Sequence, residues 1–127
     1  MSKNDSDTTI QELKDQMVQF RDERGWDKHH TPKNLAMSIA IEAAEIMEHF
    51  QWDELSNTDK QEVAAEIADV IMFCLSLADE LDVDVATAFR NKLAHNKKKY
   101  PVELFNPERT GTDDYHRIKK AYRSGKT

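Results

Sequence analysis

Apolar residues recur along this chain at intervals of three and four, the spacing of one helical face, with polar residues between them. Ile10, Leu13, Met17 and Phe20 keep that rhythm until Gly25, which predicts a first helix over about residues 9–24. The stretch from Gly25 to Thr31 holds Trp26, His29 and His30 and ends in Thr31-Pro32, a capping threonine followed by a proline in the first helical position. A second helix starts there, with Leu35, Ile39, Ile46 and Phe50 on its stripe, and runs to about Trp52. Ser56, Asn57, Thr58 and Asp59 supply a turn and a cap. The third helix, about residues 59–81, is predicted to put Val63, Ile67, Val70, Cys74, Leu77 and Leu81 in the core. Asp82 and Asp84 are capping candidates for a fourth, which carries Val85, Phe89 and Leu93 and stops before Pro101, because a residue preceding proline avoids helical angles. Residues 1–8 read as a disordered lead and residues 105–127 as a polar tail, within which only a short helix near Asp113 to Tyr122 fits the pattern. Four helices joined by short connections over residues 9–104 predict an all-α four-helix bundle.

Composition agrees with that class. Three Gly and three Pro in 127 residues, a third of them charged, disfavour a turn-rich β architecture. The length suits one domain. A formal charge of −6 disfavours a general nucleic-acid binder, since phosphate contacts need Lys and Arg. Cys74 is the single cysteine, in an apolar run, so no intramolecular disulfide forms, a buried thiol is expected and a reducing cytoplasm fits. No run approaches the roughly 20 apolar residues of a membrane span.

The candidate chemistry lies in four acids. At about 100° per residue, Glu42 falls inside the apolar stripe of the second helix, between Ile39 and Ile46, with Glu45 at its edge. On the third helix Glu66 falls at the edge of the Val63, Val70 and Leu77 stripe, with Asp69 further round near Phe73. One Glu-x-x-Glu pair is ordinarily a solvated face. Two pairs that border a core on consecutive helices repel one another in low dielectric unless a cation neutralises them. Mg²⁺ is the natural choice, taking hard oxygen ligands and keeping positions for phosphate oxygens, and Mn²⁺ is the expected substitute. A di-iron carboxylate bundle would need Glu-x-x-His, and His49 follows Glu45 by four residues and Glu48 by one.

Glu42-Ala43-Ala44-Glu45 followed by Glu66-Ile67-Ala68-Asp69 resembles the signature of the MazG-like nucleotide pyrophosphohydrolases. The segments Phe20 to Asp27, Thr31 to Leu35, Glu45 to Trp52 and Lys99 to Glu103 resemble the branch of that family that acts on dCTP. The resemblance implies an all-α bundle completed by oligomerisation, here a homodimer or homotetramer, and Mg²⁺-dependent cleavage of a nucleoside triphosphate to monophosphate and pyrophosphate. It implies Glu42, Glu45, Glu66 and Asp69 as metal ligands, and Trp26, Trp52 and Phe73 as the aromatic wall of a base pocket. Many members have a double Glu where this chain has Ile41-Glu42, and that branch commonly has Tyr where this chain has Phe73. From the loop His29 and His30 are placed to reach a phosphate, and Lys92 and Asn96 share a helical face suited to triphosphate oxygens.

The expected reaction is attack of water on the α-phosphorus, with Glu42 or Glu45 as the base. Two alternatives stay open: a non-catalytic helical module that self-associates, and the same fold acting on another phosphoanhydride such as phosphoribosyl-ATP. Neither nucleic acid nor membrane is an expected partner.

Overall fold

The structure is a computed structural model that describes residues 3–52, 59–109 and 111–125. In those residues the chain is helical: α1 (Ile10–Glu23), a single 3₁₀ turn (Asp27–His29), α2 (Pro32–Glu48), α3 (Lys60–Glu80), α4 (Val85–Lys99) and α5 (Asp113–Arg123). Two compact units divide it, Met1–Val85 and Ala86–Thr127.

Local signals start each helix of the first unit. Thr9 accepts a hydrogen bond from the Glu12 N–H while the Glu12 carboxylate accepts one from the Thr9 N–H, a reciprocal capping box. Thr31 caps α2 by accepting from the Asn34 N–H, with Pro32 behind it in the first turn. Asp59 accepts from the N–H groups of Gln61 and Glu62 at the start of α3. The turn expected at residues 56–58 lies outside the described residues. Ahead of α1, residues 4–7 close a turn through Asp7 N–H to the Asn4 carbonyl, and the Lys3 ammonium pairs with Glu12 at 2.7 Å.

Two expectations change. Helix α2 stops at Glu48, not near Trp52. The N–H groups of His49, Phe50 and Gln51 turn back to carbonyls three residues earlier, which closes the helix as tight turns without the Gly or Pro that would mark a stop in sequence. The short helix that fits the pattern near Asp113 to Tyr122 is present as α5, where Tyr115, Ile118, Lys119 and Tyr122 fall on one face. Tyr115 stacks on Tyr100 at 5.4 Å and Tyr122 meets His95 edge-on at 5.4 Å, so aromatic contacts hold α5 within the second unit.

The second change concerns where α3 is covered. This helix packs on both α1 and α2. Ala68, Ile71, Met72 and Leu75 meet Leu13, Gln16, Met17 and Phe20 of α1 around an apolar groove of about 460 Å³. A second face, bearing Glu66, is turned to α2. The stripe predicted as core is a third face. On it Ile67 is 46% and Leu81 56% exposed, Cys74 is exposed where a buried thiol was expected, and Val63, Val70 and Leu77 are half-buried. Only Met17, Leu35, Leu75 and Ala78 are buried apolar side chains among the described residues.

Candidate active site

Helices α2 and α3 bring three of the four acids together. One carboxylate oxygen from each of Glu42, Glu45 and Glu66 lies within 4.8 Å of the others, and all three side chains are half-buried. Asp69, one turn past Glu66, lies outside that trio but acts on it electrostatically. Glu42 stands out. Its Oε2 is sealed from solvent with no hydrogen-bond partner, a position that holds a negative charge poorly. Desolvation raises its pKa above the ordinary 4.5, and the Glu45 carboxyl, Asp69 and Glu66 push it the same way. Glu66 is raised chiefly by its hydrogen bond with Glu45, then by desolvation and by the charges of Glu45 and Asp69. His49 opposes that shift from 3.6 Å away, its Nε2 facing Glu66 Oε1.

The residue chemistry fits a hard divalent cation. Three carboxylates from two helices converge, a sealed oxygen lacks a partner, and desolvation together with the neighbouring acids makes the charged form of Glu42 unfavourable without a cation.

At the far end of α1, the chain leaves the helix through Gly25 at φ +64°, a left-handed position where glycine avoids the Cβ clash. The Gly25 N–H bonds the Asp22 carbonyl and the Trp26 N–H the Arg21 carbonyl, both at 3.1 Å, forming a Schellman cap. That cap fixes Trp26, whose ring meets Phe20 edge-on at 5.6 Å. Trp26 then faces His30 at 6.3 Å, and His30 faces Phe73 of α3 at 6.3 Å. Trp26, His30 and Phe73 thus form one run of rings, with the His30 Nδ1 buried and unpartnered. Burial lowers the His30 pKa, and the Arg21 charge lowers it further.

Of the other expected substrate residues, Trp52 lies beyond the end of α2 and is 86% exposed. Lys92 and Asn96 belong to α4, in the second unit. Sequence reasoning missed Arg21 and the His49–Glu66 contact. Arg21 is only 7% exposed and pairs with Asp22, Asp79 and Glu80. Its signal was a charged residue four after Met17, on the buried side of α1.

Comparison with known proteins places this arrangement. Residues 37–122 match the MazG-like family. The chain belongs to that family. A pyrophosphatase structure from Archaeoglobus fulgidus superposes on this MazG-like chain with a TM-score of 0.68, at 42% identity, over 79% of this chain and 99% of that one. Bovine dCTP pyrophosphatase 1 is 30% identical over 107 residues and the rat protein 32% over 104, covering 78% and 76% of this chain. The chain spans 63% and 61% of the length of those two relatives.

Proposed function

We propose that this MazG-like chain hydrolyses a nucleoside triphosphate to the monophosphate and pyrophosphate, with dCTP or a modified dCTP as the preferred class. The carrying observation is the trio of converging glutamates with the sealed, partnerless Glu42 oxygen. In this reading Glu42, Glu45, Glu66 and Asp69 hold Mg²⁺, for which Mn²⁺ substitutes. The cation supplies charge neutralisation, both to the acids and to the developing charge on the phosphates. Glu42 or Glu45 accepts the proton of the water that attacks the α-phosphorus, and pyrophosphate leaves. Trp26, His30 and Phe73 receive the base. The rings lend it stacking area, with Trp26 44% exposed at the open end of the run. Trp52 is assigned to the base, and Lys92 and Asn96 to the triphosphate, on the sequence pattern alone. The similarity to proteins named dCTP pyrophosphatase supports the substrate class.

A panel of canonical and 5-modified nucleoside triphosphates plus phosphoribosyl-ATP, read by pyrophosphate release with Mg²⁺, tests the proposal. Cytosine nucleotides are expected to give the highest kcat/KM. Glu45→Gln is expected to keep the fold and lose roughly 10²-fold or more in turnover. Near-normal turnover in that variant removes Glu45 from the machinery. Release from phosphoribosyl-ATP alone transfers the fold to that substrate, and no release from any compound leaves a non-catalytic module.

A further inference from the structure

Arg21 is a long cation in a place where charge is expensive, and its surroundings account for it. Its Nε meets Asp22 at 2.9 Å, and its Nη1 meets Asp79 at 3.3 Å and Glu80 at 3.2 Å. A guanidinium presents five donors in a rigid plane, so one group ties the last turn of α1 to the last turn of α3. Burial opposes its charge, but Asp22 and Asp79 hold it protonated. The residue also acts through its main chain. Its carbonyl is the acceptor that fixes the Trp26 N–H in the Schellman cap, and Trp26 is the ring next to His30.

The carbonyl that places Trp26 on one side of His30 is main chain, common to any residue at this position, so the side chain's own contribution is the tie to α3. The guanidinium anchors the end of α3, the helix that carries Phe73 on the other side. Ion pairs confined to the surface would contribute little. Here the arginine is 7% exposed and its three acids 31–53% exposed, so the geometry is held from the buried side.

We propose that Arg21 is a positioning residue for nucleobase recognition, its guanidinium tying the end of α1, which leads into Trp26, to α3, so that the run of Trp26, His30 and Phe73 keeps its spacing for the base. This rests on the assignment of the ring run to the base in the proposed function. Arg21 touches no reacting atom, so its removal is expected to act on binding and base choice and to spare the chemical step. The charged groups acting on His30 are Arg21 from α1, Glu80 from α3, and His29 and Asp27 from its own loop. Removing Arg21 takes away a positive charge and leaves Glu80 uncompensated, and both changes favour protonated His30.

The test uses the full chain with Mg²⁺, comparing wild type, Arg21→Met, Arg21→Lys and His30→Ala. Arg21→Met keeps length and volume without charge. It is expected to raise KM for the preferred nucleotide roughly tenfold, about the size of one aromatic stacking contact, with kcat within about threefold. The preference over other bases should shrink by a similar factor, and Arg21→Lys should recover part of both. His30→Ala combined with Arg21→Met should raise KM less than the product of the single effects, because both act on one contact. NMR titration of the His30 ring should show its pKa moving up in Arg21→Met. Unchanged KM and base preference in folded variants overturn the proposal. So do multiplicative effects with His30→Ala, or a fall in kcat at constant KM. Should Arg21→Met fail to fold, Arg21→Lys carries the same test, and wild-type KM and base preference in that variant with an unmoved His30 titration overturn the proposal. If the wild type releases pyrophosphate from no nucleotide, the proposed function has failed and this assignment with it. Failure of the Arg21 assignment alone shows as an active wild type that Arg21→Met matches.

Discussion

Glu42 carries its carboxyl where burial and neighbouring acids make its charged form costly. Its carboxyl pKa is raised in the folded chain, first by desolvation and then by Glu45, Asp69 and Glu66. A folded-state pKa above the unfolded one means that the native chain binds the proton more tightly. The associated stability is present below the ordinary value of 4.5 and is lost as pH rises through the elevated folded value. Glu66 contributes with the same sign. Glu12 and Asp114, whose pKa values are lowered by Lys3 and Arg117, act in the opposite sense and lose their contribution as pH falls, so comparison with a variant is needed to isolate the acid group. We expect Glu42→Gln to melt a few degrees above wild type at neutral pH in EDTA, with the difference vanishing toward pH 4. Millimolar Mg²⁺ should reverse the order, since only the wild type retains the ligand. A lower Tm for Glu42→Gln in EDTA would show that Glu42 is not held in a repulsive position.

Helix ends show which features were legible in the sequence and which were not. Thr9 with Glu12, Thr31 with Pro32, and Asp59 are start signals complete within four residues, and the structure uses each. The end of α2 was not legible, because its last turns close through backbone bonds that require no particular side chain. At the acids, a Glu inside an apolar stripe was enough to bring Glu42, Glu45 and Glu66 into one expectation, but Arg21 was visible only once α3 supplied its partners. The end of α3 carries a device of its own. Asp82 sits at φ +52°, the Val83 N–H bonds the Ala78 carbonyl at 2.8 Å, and the Asp82 N–H bonds the Asp79 carbonyl at 3.2 Å. This is a second Schellman cap, with an aspartate where α1 uses Gly25. Asp tolerates the left-handed region better than most residues, but glycine carries no Cβ penalty there. Asp82→Gly should therefore stabilise the fold by about 0.5–1 kcal/mol, and Asp82→Val should destabilise it by about 1–2 kcal/mol. Urea denaturation distinguishes these. A loss of stability in Asp82→Gly would mean that the side chain makes a contribution larger than its backbone strain.

At the scale of the molecule, α3 offers three faces and the first unit covers two. One lies against α1 and one, bearing the acids, against α2. The stripe predicted as core from periodicity, with Ile67, Cys74 and Leu81, stays open. Sequence periodicity marks an apolar face without saying what covers it, and within the described residues Cys74 is exposed. A stripe of this kind on a unit with four buried apolar side chains among its described residues is poorly stabilised alone, and a second copy with the same stripe is the simplest complement. We propose that copies of the chain associate through this face. Light scattering should then give a dimer or tetramer at micromolar concentration. Cys74→Arg, which sets a charge in mid-stripe away from the acids, should shift the population toward monomer and make Tm rise with protein concentration. A monomeric wild type would defeat the proposal of self-association. An unaltered oligomer in Cys74→Arg would move the interface to another face, with the α1–α3 groove and its exposed Ile71 and Met72 the next place to substitute.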